Sequence, residues 1–168
     1  MIDQAAKTGA DAIKFQTFIT EETVSPSAPF AEHHIANVKD IKSHFKLLKR
    51  LELPLDVFLR LKKHAERAGI IFISTPYDII SVKYLASIKV PAIKIASAEI
   101  INTPLIDAAI DTGLPIILST GMNNLDTVTK VGRKILKSGA DLALLKCTSN
   151  YPVDYLNINL NGISTLKK

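Results

Sequence analysis

The sequence predicts an α/β fold in which short parallel strands alternate with longer helices. β-branched or apolar runs of four to six residues recur along the chain, with amphipathic stretches between them. The last four runs begin 22, 23 and 27 residues apart. That spacing fits a strand, a turn and a helix of about three turns, which is the repeat of a parallel sheet. The five predicted strands are residues 12–16, 70–74, 92–96, 115–119 and 142–146.

Proline and glycine residues mark the ends of the predicted helices. Pro54 and Pro104 suit a first helical turn, where the missing N–H costs little. Gly69, Gly113 and Gly139 each stand just before a strand, where glycine commonly ends a helix. These glycines are therefore interpreted as helix caps and not as phosphate-binding loops.

Residues 17–38 differ from the rest of the chain because they contain Pro26 and Pro29 and show no clear period. We expect an insertion after the first strand, and loops of that length tend to be functional or mobile.

Composition excludes several classes of protein. With 168 residues, 47% apolar and 22% charged, the chain has the size and composition of one globular domain. No apolar run approaches the roughly 18 residues of a membrane span, and the first ten residues lack the layout of a secretory signal. We therefore expect a cytoplasmic protein with no membrane partner. The single cysteine, Cys147, has no partner for an internal disulfide.

The net charge of +5 suits an anionic ligand such as a phosphorylated metabolite. Nucleic acid is not the expected partner, because no aromatic residues for base stacking interleave with the densest basic stretch, residues 39–50.

Polar side chains follow every predicted strand at its carboxyl end. Ligands of parallel α/β proteins bind at that end, where loops and helix N-termini converge. The polar residues are Lys14, Gln16, Ser74, Thr75, Asp78, Lys94, Ser97, Glu99, Ser119, Thr120, Lys146, Thr148 and Ser149.

Lys14 and Lys94 are the most informative of these residues, because each lies inside an apolar strand where an unpaired ammonium is costly to bury. Together they favour an anion site. The alternative is a structural ion pair, with Glu99 as an available partner for Lys94. Hydroxyl groups could add neutral donors to the site, although each is individually more common as a cap or turn residue. They belong to Thr75, Ser97, Thr120 and Ser149.

Glu99 is the best candidate for an acid, a base or an acceptor from a sugar hydroxyl. Cys147, at the end of an apolar strand, is interpreted as a small core residue and not as a nucleophile. None of the histidines forms a metal-ligand spacing on its own. They are His33, His34, His44 and His64.

Six motifs, in order and spacing, resemble the sialic acid synthase family, whose members make N-acetylneuraminate and its legionaminate or pseudaminate relatives. The resemblance covers essentially the whole chain. The motifs are KFQTF at 14–18, STPYDIISVKYL at 74–85, VPAIKIASAEIINTPLI at 90–106, GLPIILSTGM at 113–122, LLKCTSNYP at 144–152 and NLNGI at 159–163. The lysine before CTS is similar to that of the pseudaminate branch, whereas KFQTF is closer to the neuraminate and legionaminate branches. The resemblance therefore does not identify the sugar.

The resemblance implies a TIM barrel that condenses phosphoenolpyruvate with an N-acetylated hexosamine-type aldehyde sugar, giving a nonulosonic acid and phosphate. Such enzymes serve cell-surface polysaccharide biosynthesis, use Mn²⁺ or Mg²⁺, and form homodimers at full length. The positions that match phosphoenolpyruvate-binding residues are Lys14, Thr75, Lys94, Ser97 and Ser149. Those that match residues facing the sugar are Gln16, Glu99 and Tyr151, and Glu99 and Lys94 are the expected catalytic residues.

Family members have a first strand, two histidine-bearing metal motifs and an antifreeze-like domain that find no match here. Residues 1–168 are therefore expected to form an incomplete barrel, about strands two to six of eight, with the metal ligands outside this chain and with no activity as a fragment.

Two other functions remain open. The first is a Schiff-base aldolase in which Lys94 forms an imine with pyruvate, since a desolvated lysine is the usual device for that chemistry. The second is a truncated remnant without catalytic activity.

Overall fold

A computed structural model describes residues 1–29, 43–150 and 152–167. Five parallel strands form one sheet in the order β1-β2-β3-β4-β5. Each strand lies beside the next one in sequence, which is the strand order of a barrel-type sheet rather than of a doubly wound one. The α/β prediction is confirmed, and every strand lies within two residues of its predicted bounds. The strands are β1 (Ala12–Thr17), β2 (Ile71–Pro76), β3 (Ile93–Ile95), β4 (Ile116–Ser119) and β5 (Leu142–Leu145).

Helices precede and separate the strands. Polar side chains cap three of the connecting helices by accepting from backbone N–H groups, namely Asp78, Asn102 and Asn124. The α-helices are α1 (Ile2–Lys7), α2 (Thr20–Thr23), α3 (His44–Leu51), α4 (Leu55–Arg67), α5 (Ile79–Ser87), α6 (Thr103–Asp111), α7 (Leu125–Lys137) and α8 (Gly162–Leu166). Two 3₁₀ helices cover Ser97–Ile101 and Tyr155–Asn157.

The predicted helix ends agree with the structure. Pro54 stands immediately before α4 and Pro104 lies in the first turn of α6. Gly69, Gly113 and Gly139 have positive φ angles, between 68° and 86°, in the turns that lead into strands. These residues direct the chain from each helix back into the sheet.

The two faces of the sheet differ in burial. Strand side chains alternate between faces, and one set packs under the helices. Phe72, Ile93 and Leu118 belong to this buried set. On the opposite face, which we call the helix-free face, Ile71 is 50% exposed and Leu145 is 41% exposed. The apolar core therefore lies on one side of the sheet, and the other side exposes apolar residues.

The start of the expected insertion is anchored to the rest of the fold. The Ile19 N–H donates to Asp78 Oδ2 at 2.9 Å, and the Thr20 N–H donates to Glu52 Oε2 at 2.9 Å. Residues 30–38 of the segment lie outside the described residues. In the part of the chain that the structure describes, no helix has both the length and the apolar character needed to cross a membrane.

The helix-free face and the edge strands β1 and β5 predict self-association of the 168-residue chain, because unpaired strand edges and exposed apolar surface bind other chains. Size-exclusion chromatography with light scattering should show oligomers. Leu145→Lys on the helix-free face should reduce the average mass. Ser87→Lys, at an exposed serine that ends α5, adds the same charge without removing apolar surface, so it is the matched control and should leave the average mass unchanged. A monodisperse wild-type monomer with a cooperative melt would refute the prediction.

Candidate functional site

The register of the sheet brings polar residues of three strands together at their carboxyl ends. Gln16 of β1 lies opposite Thr75 of β2. Ser74 lies opposite Ile93, so the residues that follow them, Thr75 and Lys94, are also neighbours. Residues opposite each other in a parallel pair extend to the same face, so Gln16, Thr75 and Lys94 share the helix-free face.

Lys94 is the central charge of this group. It is only 8% exposed, and its Nζ donates to Ile95 O at 2.7 Å and to Ser119 Oγ at 2.6 Å. Among the described residues, no carboxylate pairs with it. The alternative of an ion pair between Lys94 and Glu99 is therefore wrong. An ammonium has three N–H donors, so one of them is left for a ligand.

Burial lowers the pKa of Lys94 from 10.5 to about 8, because desolvation disfavours the charged form. An ionised Cys147 would raise the pKa of Lys94, and the nearby charge of Lys14 lowers it. An anion bound next to Lys94 would relieve the cost of burying its charge, which is the physical reason to place the ligand there.

The expectation that Lys14 is buried is wrong, because the side chain is exposed. Strand β1 is an edge strand of the described sheet, and Lys14 lies on the helix-free face opposite Ile73. Its effect on the pKa of Lys94 shows that the two lysines are close enough to interact. Lys14 therefore adds positive potential to the site without the desolvation that marks Lys94.

Gly121 marks the point where two of the predicted hydroxyl groups meet. A Cβ at this position would lie 2.5 Å from Ser149 Oγ, 3.0 Å from Ser97 Oγ and 3.2 Å from Cys147 O. The space is closed to any side chain, and the two serine hydroxyls converge on it. Both serines were predicted from the sequence as site residues, but Gly121 was not, although it follows the polar end of β4 and lies in the GLPIILSTGM motif.

The loop that carries Gly121 is held in place by Asn123. The Asn123 Nδ2 donates to Ser97 O at 2.8 Å and to Gly121 O at 2.7 Å. Met122, between them, has a φ of 55°, a strained value for a residue with a side chain. The two hydrogen bonds of Asn123 thus hold the loop after β4 against the 3₁₀ helix Ser97–Ile101.

Thr120 does not act as a free donor to this site. Its Oγ1 donates to Leu145 O at 3.0 Å, and its N–H donates to the same carbonyl at 3.0 Å. The expectation of a ligand-binding hydroxyl there is wrong, because the hydroxyl hydrogen is used in holding β4 to β5.

Two of the three residues expected to face a sugar, Glu99 and Gln16, are described, and each hydrogen-bonds to another side chain. Glu99 is half-buried in the 3₁₀ helix Ser97–Ile101, and its Oε2 accepts from Asn102 Nδ2 at 2.7 Å. The Gln16 Nε2 donates to Tyr77 Oη at 3.0 Å. Tyr151 lies outside the described residues, as do His33 and His34.

Cys147 is half-buried and hydrogen-bonded, so its interpretation as a core residue is wrong. Its Sγ donates to Ser119 Oγ at 3.3 Å, and Ser119 in turn accepts from Lys94. In the described ranges, no group of three or more His, Cys, Asp or Glu side chains could hold a metal ion. The site is therefore a set of ammonium and hydroxyl donors, which is the chemistry of carboxylate and phosphate binding.

The sequence and the fold both resemble those of known proteins. The NeuB family model matches residues 1–168. An N,N'-diacetyllegionaminic acid synthase of Legionella pneumophila is 38% identical over 172 residues, covering 99% of this chain and 48% of that protein. A crystal structure of the N-acetylneuraminic acid synthetase of Leptospira borgpetersenii, in complex with citrate, aligns with a TM-score of 0.85 and 36% identity. That alignment covers 99% of this chain and 54% of the other.

A more distant structural match extends the fold comparison. A truncated 3-deoxy-D-arabino-heptulosonate 7-phosphate synthase of Thermotoga maritima aligns with a TM-score of 0.66 at 13% identity, over 100% of this chain and 54% of that chain. At this identity the match concerns the fold alone. The chain spans about half the length of the curated relatives it matches.

The Gly121 geometry predicts that Gly121→Ala weakens anion binding. The added methyl must displace the Ser149 hydroxyl. Loss of one hydrogen bond to a charged ligand should lower the affinity roughly tenfold. The measurement is an NMR titration with inorganic phosphate at pH 7.

Gly132→Ala in α7 is the matched control. Its Cβ would lie 3.5 Å from Leu142 Cδ2, an ordinary contact, so phosphate affinity should not change. The helix should gain up to about 1 kcal/mol of stability. Equal phosphate affinity of the two variants would contradict the assignment of the hydroxyl site.

Proposed function

Since the chain belongs to the NeuB family, we propose that its helix-free face binds phosphoenolpyruvate for condensation with an N-acetylated hexosamine-type aldehyde sugar. The products are a nonulosonic acid and inorganic phosphate. The observation that carries the proposal is Lys94, a buried ammonium with one unused N–H and no paired carboxylate in the described residues.

The donors around Lys94 match the two anionic groups of phosphoenolpyruvate. Ser97 and Ser149 present hydroxyls around Gly121, and Thr75 lies beside Lys94 on the same face. Hydroxyl donors bind phosphate or carboxylate oxygens without adding charge. Lys14 supplies additional positive potential from the neighbouring strand. We assign the phosphate and carboxylate of phosphoenolpyruvate to these five residues together.

In the proposed reaction, C3 of phosphoenolpyruvate attacks the sugar aldehyde and forms the new C–C bond. The aldehyde oxygen takes up a proton, water adds to the resulting cation at C2, and the C2–O bond breaks as inorganic phosphate leaves. The chain's own residues position the phosphoenolpyruvate and stabilise its charge. We place Glu99, Gln16 and Tyr151 on the sugar side, with Glu99 as the candidate acid or base and Lys94 as the catalytic cation.

The divalent Mn²⁺ or Mg²⁺ that the family resemblance implies does not fit the described residues, which contain no cluster of metal-ligating side chains. The reaction steps given above therefore assign no role to a metal ion. We further propose that the five strands correspond to strands two to six of an eight-stranded barrel, and that the full-length enzyme works as a cytoplasmic homodimer. The parallel sheet in sequential strand order and its helix-free face support the barrel assignment.

The lowered pKa of Lys94 also supports a second reaction, imine formation with pyruvate, because a neutral amine is the nucleophile in that chemistry. Lys94 Nζ would attack the carbonyl carbon of pyruvate with loss of water. Borohydride reduction of the chain in the presence of pyruvate, followed by mass spectrometry, distinguishes imine formation from the condensation. An adduct on Lys94 favours the aldolase, and an unmodified Lys94 favours the condensation.

The proposal predicts that Lys94→Met weakens phosphoenolpyruvate binding by about 1.5 to 3 kcal/mol, the range for a hydrogen bond to a charged group. Lys14→Met should cost less, because Lys14 is exposed and acts through its potential. Isothermal titration calorimetry at pH 7 provides the measurement.

Lys130→Met on the exposed side of α7 is the control and should bind like the wild type. If all three substitutions weaken binding equally, general charge attracts the ligand and the proposed site is wrong.

A further inference from the structure

Tyr77 follows β2 directly, and the proposed function gives it no role. Its N–H donates to Thr17 O at 3.1 Å, so the pairing of β1 with β2 continues one residue beyond Pro76. Tyr77 is two residues past Thr75, which lies opposite Gln16. Side chains two residues apart along an extended chain share a face, so Tyr77 lies on the helix-free face with Gln16.

A hydrogen bond joins these two side chains. The Gln16 Nε2 donates to Tyr77 Oη at 3.0 Å. A carboxamide has two N–H donors and one carbonyl acceptor. Among the described residues, no group donates to the Gln16 carbonyl oxygen. Because Nε2 is turned toward Tyr77, the group that Gln16 presents to a ligand is its acceptor, Oε1.

The backbone around Tyr77 is fixed, whereas the Gln16 side chain is exposed. Asp78, the residue after Tyr77, caps α5 and also accepts from the Ile19 N–H at 2.9 Å. The phenol is therefore attached to a rigid part of the fold and is itself half-buried. The side-chain torsions of Gln16 are the freedom that its hydrogen bond to Tyr77 removes.

This freedom matters for affinity. An exposed glutamine that must be ordered when a ligand binds lowers the affinity, by about two- to tenfold for one such side chain. A hydrogen bond that already orders the glutamine in the free chain removes that penalty. Tyr77 can do this because its oxygen meets the amide nitrogen and leaves the carbonyl oxygen to the ligand.

We propose that Tyr77 is a positioning residue that holds Gln16 so that its carbonyl accepts from a hydroxyl or the acetamido N–H of the sugar. The inference rests on the proposed function, which places Gln16 on the sugar side. Tyr77 acts through Gln16, and no contact between Tyr77 and the sugar is part of the inference. A phenylalanine at this position would fill the same space without ordering the amide.

The first measurement follows the Gln16 amide by NMR in the free 168-residue chain. Gln4 is the other glutamine of the sequence, so selective ¹⁵N labelling of glutamine amides gives two signals, which Gln16→Ala assigns. In Tyr77→Phe, the Gln16 signal should shift and its ¹⁵N relaxation should show faster motion, with the Gln4 signal unchanged. Tyr84→Phe, in the helix layer packed on the core, is the matched control and should change neither signal. An unchanged Gln16 signal in Tyr77→Phe would overturn the inference.

The second measurement is the affinity for N-acetylmannosamine at pH 7, by NMR titration of the chain saturated with phosphoenolpyruvate. Gln16→Ala should weaken sugar binding about five- to tenfold, the loss of one net hydrogen bond. Tyr77→Phe should weaken it about two- to fivefold, because Gln16 must then be ordered on binding. Tyr77→Phe should leave the phosphoenolpyruvate affinity unchanged, which separates a positioning role from general damage to the site. Tyr84→Phe should bind both ligands like the wild type.

The double variant Gln16→Ala with Tyr77→Phe tests whether Tyr77 acts through Gln16. If it does, the double variant binds the sugar like Gln16→Ala alone. Wild-type sugar affinity in Tyr77→Phe, or an equal effect of Tyr77→Phe with and without Gln16, overturns the inference. A wild-type chain that binds phosphoenolpyruvate but not the sugar overturns the inference and leaves the anion site in place. A wild-type chain that does not bind phosphoenolpyruvate overturns the proposed function as well.

Discussion

The partly desolvated ammonium of Lys94 is the interaction on which the rest of the site depends. The sheet buries its apolar residues under helices on one face, and Lys94 lies on the opposite, helix-free face in the middle of the sheet, where it is still buried. Its two hydrogen bonds go to neutral oxygens, Ile95 O and Ser119 Oγ. Neutral partners orient the ammonium but leave its charge unbalanced, which favours an anionic ligand over a structural ion pair.

The loops after β3, β4 and β5 complete the site by bringing hydroxyls to one point. Gly121 leaves room for Ser97 and Ser149 to converge, and Asn123 ties its loop to the turn that carries Ser97. A substrate bound there would contact three consecutive βα units at once. This explains how residues far apart in sequence form one anion site on a parallel sheet.

Periodicity and residue type predicted most of the fold and the main charge of the site. All five strands, the glycines that end helices and Lys94 follow from local patterns, since apolar runs and glycines act on their own neighbourhood. The capping roles of Asp78, Asn102 and Asn124 were not predicted. Lys14 was placed in the interior because the apolar pattern of its own strand does not show that β1 is an edge strand. The roles of Thr120 and Cys147 depend on contacts across to another strand, with Leu145 and Ser119, which no local pattern encodes.

The most direct test follows the charge of Lys94 by NMR in the chain labelled with ¹³C at lysine Cε, with Lys94→Arg to assign the signal. Burial should place the pKa of Lys94 near 8 in the free chain, well below its ordinary 10.5. A bound anion favours the ammonium, so phosphoenolpyruvate should raise that pKa, and its affinity should fall as the pH rises through 8. A Lys94 that titrates at its ordinary value, or one whose pKa phosphoenolpyruvate does not change, would contradict the account.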